Sequence, residues 1–245
     1  MDFDLIWTSL PQLLKGSLLT VEITAVTILT GLVVAIPIAL MRVSKNPLLW
    51  GPAYGYIFFI RGTPLLAQIF LVYYGSGQFR DFFDAIGLWV FFREPYFAAI
   101  LTLTINTSAY TAEILRGAIQ AVPRGDIEAA RAMGMSRILQ FRRIILPQAF
   151  RLALPAYGNE IILLFQSTSL VSIITLLDLT GIARIIAART FKIYEVYLTA
   201  GAIYLIITYG ILWLFNRVEW RMMRHVGDHP AAAGNVKKLD VVTVR

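Results

Sequence analysis

The chain has 245 residues, of which 58% are hydrophobic and 15% charged, and its formal net charge is +7. So few charges, with a mean hydropathy of +0.68, exclude an ordinary soluble domain and indicate an integral membrane protein. The chain has no cysteine and only two histidines, His225 and His229, both in the polar C-terminal tail, which excludes disulfides, thiol chemistry and a histidine metal or acid–base site within the membrane.

Residues 1–16 carry Asp2 and Asp4, with Phe3, Ile6, Leu10, Leu13 and Leu14 at helical spacing and Pro11 between them. This pattern predicts an amphipathic segment at the membrane interface, and the missing basic n-region and cleavage site argue against a signal peptide. Apolar runs then predict about five spans, over 18–41, 52–75, 96–115, 152–177 and 196–215. The second is interrupted at Arg61-Gly62-Thr63-Pro64, where Pro64 removes a backbone donor. Such a break is tolerated only against protein or a watery cavity. Residues 76–95 and 178–195 read as loops, and 227–245 as a polar, disordered tail.

Between the third and fourth spans lies a basic stretch, bounded by Pro123 and Pro147, that predicts a short surface helix over 126–137. Acidic residues fall in its first turn and Arg131 and Arg137 later, the polarity that the helix dipole favours. Gly134 reads as its terminator or as a point of close backbone approach. The positive-inside rule assigns its side of the membrane. One side carries Arg42, Lys45, Arg116, Arg124, Arg131, Arg137, Arg142, Arg143, Arg151, Arg217, Arg221, Arg224, Lys237, Lys238 and Arg245; the other carries Lys15, Arg80, Arg93, Arg184, Arg189 and Lys192. The N-terminus is therefore expected outside, with the basic stretch and the C-terminus in the cytoplasm. The same bias accounts for the net charge without nucleic acid.

No phosphate-binding G-x-x-x-x-G-K-[ST] loop and no hydrolase or kinase constellation occurs, so the chain is not expected to be an enzyme. Charge inside the membrane is the remaining chemical signal, because it is costly unless it faces a cavity or a partner. Arg61 reads either as a snorkelling helix-end anchor or as a partner for a carboxylate. Glu113 stands three residues before Arg116, a spacing that a surface salt bridge explains. Glu160 lies in mid-span beside Asn159, after Pro155 and Gly158, with Ser167, Thr168 and Ser169 about two turns on. A carboxylate is an expensive way to hold helices together, so Glu160 and Asn159 are expected to line a cavity for a ligand bearing amines.

The basic stretch resembles the E-A-A…G…I-x-L-P signature of inner-membrane permease subunits of bacterial ABC importers, through Glu128, Ala129, Ala130, Gly134, Ile144, Leu146 and Pro147. Arg61-Gly62-Thr63-Pro64, Tyr110 to Gly117, Pro147-Gln148-Ala149 and Asn159-Glu160 ahead of Ser167-Thr168-Ser169-Leu170 are similar to the polar amino-acid branch, of histidine, arginine and opine type. Many such permeases have Lys-Asp before Thr-Ser-Leu; Gln166-Ser167 here reads as a basic-substrate or opine type. The resemblance covers roughly residues 10–220.

It implies an all-α type I ABC importer permease fold, with a permease domain over 1–226 and a cytoplasmic coupling helix, in the bacterial inner membrane. It implies a second, identical or similar permease subunit, two ATP-binding subunits that carry ATP and magnesium, and a periplasmic amino-acid-binding protein. The chain itself would bind no cofactor or metal. Glu128, Ala129, Ala130, Arg131 and Gly134 would form the coupling element. Glu160, Asn159, Ser167 and Thr168, then Asn106, Glu113 and Arg61, would meet the substrate. Two rival readings remain open: an ion-gradient-driven secondary transporter with Glu160 as proton carrier, disfavoured by few spans and no inverted repeat, and a structural membrane subunit with no path of its own.

Overall fold

A computed structural model describes residues 2–223, and these are helical throughout apart from turns. The first helix, α1 (Phe3–Val43), is 41 residues long, about 61 Å at 1.5 Å per residue, and outreaches a bilayer core. Asp2 caps it, accepting from the Leu5 N–H at 3.1 Å. The separate interfacial segment expected over residues 1–16 is instead the first turns of this helix. Pro11 does not break it, because Leu5, Leu10 and Leu13 on either side pack into one cluster with Leu179, Ala183, Ile186 and Val196. Tertiary burial outweighs the lost hydrogen bond.

Helix α2 (Pro47–Arg61) is followed by α3 (Leu65–Ser76), and the segment Leu65–Ala85 that α3 opens is bent from α2 by 99°. Two short helices, α4 (Arg80–Ala85) and α5 (Trp89–Phe92), follow, with Phe83 and Phe92 stacked at 4.2 Å. The chain then re-enters as α6 (Pro95–Gln120).

Helix α6 is the centre of the described molecule and packs against α1, α2, α3 and, further along the chain, α9 (Leu146–Ser167). Its polarity is explained by that position. Thr102, Thr107, Ser108 and Thr111 are buried against protein and not lipid. On α1, Gly31, Ala35 and Ala39 form the facing small-residue stripe, Ala35 and Ala39 packing with Ala109 and Ala112, whereas Gly16 and Thr20, further up the helix, meet Asp178, Leu179 and Ile182. The approach is tight at Gly31, where an added Cβ would lie 2.4 Å from Thr107 Cγ2. Thr30 and Thr104 share a 2.6 Å hydrogen bond beside it.

The basic stretch forms α7 (Arg124–Ala132) and α8 (Arg137–Gln140), then a π-helical turn over Phe141–Ile145 that leads into α9 (Leu146–Ser167). Pro147 can donate no bond to the turn before it, which favours the wider π turn there. A 3₁₀ segment (Thr168–Ile174) joins α9 to α10 (Leu179–Thr190), and α11 (Ile193–Met223) closes the described chain. Residues 178–195 are thus largely helix and not loop. Asp178 caps α10 through the Gly181 and Thr180 N–H groups, and its apolar face covers α1 and α11.

Helices α1 and α11 are each long and apolar enough to cross a membrane alone. Two bent pairs, Pro47–Arg61 with Leu65–Ala85 and Arg137–Ile174 with α10, are apolar enough together to be either broken spans or re-entrant loops. The tail expected over 227–245 lies outside the described residues.

Candidate functional site: a polar cavity at the helix break

The α2–α3 break is repaired by one side chain. Pro64 has no N–H to offer the Ile60 carbonyl. Gln68 Nε2 donates to that carbonyl at 2.8 Å and to Thr63 Oγ1 at 2.8 Å. Thr63 Oγ1 in turn donates to Phe59 O at 3.0 Å. Asn106 Nδ2 completes the set by donating to Gln68 Oε1 at 2.9 Å. The break is therefore fixed to α6, and Gln68 is a residue that sequence reasoning missed.

Beside it opens a cavity of about 250 Å³, walled by Thr63, Asn106, Tyr110, Glu160 and Ser167 with Leu163 and Leu164. Glu160 is 9% exposed, and its Oε1 accepts from Thr107 Oγ1 at 3.2 Å. Among the described residues, no cationic group lies within ion-pair distance of it. Arg61 is near enough to act on Glu160 electrostatically, while its guanidinium sits 4.9 Å from the Tyr110 ring centroid. A buried carboxylate with one neutral donor carries a charge that its surroundings do not compensate.

The remaining expected site residues divide. Glu113 forms a close ion pair with Arg116, as the spacing implies, and a second with Arg42 at 3.8 Å; it lines a neighbouring cavity and not this one. Asn159 points away. It is exposed and faces α11 beside Phe215, Asn216 and Glu219, because adjacent residues on a helix are rotated by about 100°. Thr168 is fully buried, and its hydroxyl donates to Phe165 O at 2.7 Å, so it is spent on the backbone. Thr107, Thr63 and Tyr110 take the places expected for those two.

At the far end of the molecule, α7 begins at Arg124 and stops at Ala132, shorter than the 126–137 expected. Gly134 adopts φ +78, the Met135 N–H bonds Ala130 O at 3.1 Å, and the Gly134 N–H bonds Arg131 O at 3.0 Å. This paired closure requires a left-handed residue. Glu128, Ala129 and Arg131 are exposed, whereas Ala130 turns inward, and Met133 is 83% exposed.

The family profile described as "Binding-protein-dependent transport system inner membrane component" matches residues 27–224. The chain belongs to this family of binding-protein-dependent inner membrane components. That is not the gradient-driven class weighed above. A nopaline transport system permease protein of Agrobacterium fabrum is 52% identical over 95% of this chain and 99% of its own length. A histidine/lysine/arginine/ornithine transport system permease protein of Escherichia coli is 41% identical, over 91% and 93%. Among solved structures, an amino acid ABC transporter with histidines superposes with a TM-score of 0.80 at 36% identity, over 90% of this chain and 99% of that one. A methionine ABC transporter in an inward-facing conformation gives 0.71 at 22% identity, over 91% and 99%, and supports the type I fold alone.

Proposed function

We propose that the chain is the membrane subunit of an ATP-driven importer for a basic amino acid or opine, and that the cavity at Glu160 is where the substrate pauses. The observation that carries this is the buried Glu160 carboxylate, walled by hydroxyl and amide groups and lacking a cationic partner within ion-pair distance among the described residues. A substrate ammonium or guanidinium would neutralise it, and Ser167, Thr63 and Asn106 would accept or donate to the rest of the molecule. The relatives named for nopaline and for histidine, lysine, arginine and ornithine transport favour the same chemistry.

In this reading the exposed face of α7, with Glu128, Ala129 and Arg131, docks on an ATPase subunit, and Gly134 sets the angle at which α7 leaves its cap. ATP and magnesium stay on that partner. The assembly has two such ATPases, a second permease and a periplasmic binding protein. The Lys and Arg bias supports an orientation with α7 in the cytoplasm and the N-terminus outside. Glu160→Gln keeps shape and removes the charge. In proteoliposomes holding the whole importer it is expected to lower uptake of a cationic amino acid about tenfold, the loss of one charge-assisted contact. Unchanged uptake would reject the site.

A further inference from the structure

A cavity of about 460 Å³ opens between α1, α6, α9 and α11, and none of its lining residues is shared with the cavity at Glu160. Three buried alanines, Ala39, Ala149 and Ala153, leave the space. Phe215 of α11 also lines it and packs on Gly158, where an added Cβ would lie 3.0 Å from Phe215 Cδ1. The exposed lining residues are Ile36 and Leu40 of α1 and Leu146 and Phe150 of α9, so the mouth is the cleft between those two helices. Tyr157 brings the one polar side chain to the wall. Water gains almost nothing in such a space, and leaving it empty forfeits packing on every side. In a bilayer the filling at hand is an acyl chain.

The π-helical turn builds one end of this cleft. The Leu146 N–H bonds Phe141 O across it, which sets Phe141 one wide turn before Leu146. Phe141 thereby joins the α9 stripe of Leu146, Phe150, Leu154 and Tyr157. The same turns carry Arg137, Arg142 and Arg143, all exposed. Among the described residues, no carboxylate lies within ion-pair distance of these arginines. A long apolar slot that ends at cations without acidic partners matches a molecule with an apolar tail and an anionic head.

We propose that the α1–α9 cleft binds an anionic phospholipid of the cytoplasmic leaflet, one acyl chain in the slot and the phosphate among the arginines. The leaflet follows from the orientation given above for α7; the slot owes nothing to the role of Glu160. Its position gives the lipid a task. Ala149, Ala153, Leu115 and Ile119 of the wall pack in one cluster with Val122 and with Ile127 of α7. The acyl chain therefore backs the seat of α7, and a filled slot holds that helix more firmly than an empty one.

The test uses the whole importer in proteoliposomes with a phosphatidylglycerol that carries a photoreactive diazirine on its acyl chain. Adducts are mapped by peptide mass spectrometry. They are expected to concentrate on Ile36, Leu40 and Phe150, and unlabelled phosphatidylglycerol is expected to displace them about tenfold better than phosphatidylcholine, from cationic side chains near the headgroup. Ala153→Phe fills the slot, and Leu40→Trp narrows its mouth from an exposed position. Each is expected to remove the cleft adducts and to leave those on Ile206 and Trp213 of α11 unchanged. Arg142→Gln combined with Arg143→Gln is expected to make the two lipids displace equally. Cleft labelling no stronger than that on α11 would overturn the site, as it would mean bulk lipid only. So would a cleft labelled in the isolated chain and protected in the importer, since a second subunit would then cover it. An unchanged preference in the double arginine variant would overturn the headgroup assignment. The readout is labelling and not uptake, so a failed Glu160 reading leaves it standing.

Discussion

At the scale of single residues, the cavity depends on side chains that repair the backbone as much as on those that face it. Gln68 is 9% exposed and serves two carbonyls and two side chains. Gln68→Leu would strand the Ile60 carbonyl and the Asn106 amide in one step. Each buried polar group left unmade costs about 1–3 kcal/mol. The variant is expected to lower the detergent melting temperature of the complex, and Gln68→Glu, which keeps the acceptor for Asn106 but sets a buried carboxylate against the Ile60 and Thr63 carbonyls, to lower it at least as much. An unchanged melting temperature for Gln68→Leu would show that the break does not need this repair.

The same residues show where sequence reading stops. The disruption at Pro64 is visible in the chain, because proline's chemistry is local. The donor that mends it is not, because it reaches the break from the next helix and is itself held by Asn106, 38 positions away. Glu160 stood out as a charge in an apolar run. Asn159 stood out equally, yet the two point to different neighbours, and only the packing of α11 on α9 decides which of them sees the cavity. Thr168 looked free for a ligand; the turn into the 3₁₀ segment gives its hydroxyl to Phe165 instead.

At the scale of elements, α7 is short and ends by a device that tolerates few residues. Nothing lies within 4 Å of a Cβ added at Gly134, so a side chain there meets no clash. The strain of Gly134→Val is purely one of backbone, about 1–2 kcal/mol for a left-handed L-residue and more for a β-branched one. The variant is expected to lower the melting temperature by only about a few degrees and to lose substrate-stimulated ATP hydrolysis, with Gly134→Asn restoring much of both. A stimulated rate equal to the parent's in Gly134→Val would remove the coupling role from α7. This terminator was legible, since few residues but glycine close a helix so. The start was less so: Arg124 after Pro123 opens the helix, and the acidic Asp126 serves as an acceptor for Gln148 Nε2 at 2.9 Å.

For the whole molecule, the described helices leave wide apolar faces uncovered, as the exposed Trp213, Leu205 and Ile206 of α11 illustrate. In a membrane those faces meet lipid or another subunit. Purification of the tagged chain from native membrane is expected to bring down an ATPase with a phosphate-binding loop, together with one similar permease or none. Recovery of the chain alone and stable would contradict the proposed assembly. The all-helical fold was legible because twenty-residue apolar runs have few alternatives in lipid. The merging of the N-terminal segment into α1 was not, because it depends on a face supplied by α10 and α11 far along the chain.

That merger gives α1 a mechanical property. Its tight contact with α6, at Gly31, comes 28 residues after Phe3 and 12 before Val43, which sets arms of about 42 Å and 18 Å. With Gly31 against Thr107 as fulcrum, the helix is an unequal beam. For a rigid tilt about this contact, the displacement at Asp2, which pairs with Lys192 in the turn before α11, would be about two and a half times that at Arg42 and opposite in direction.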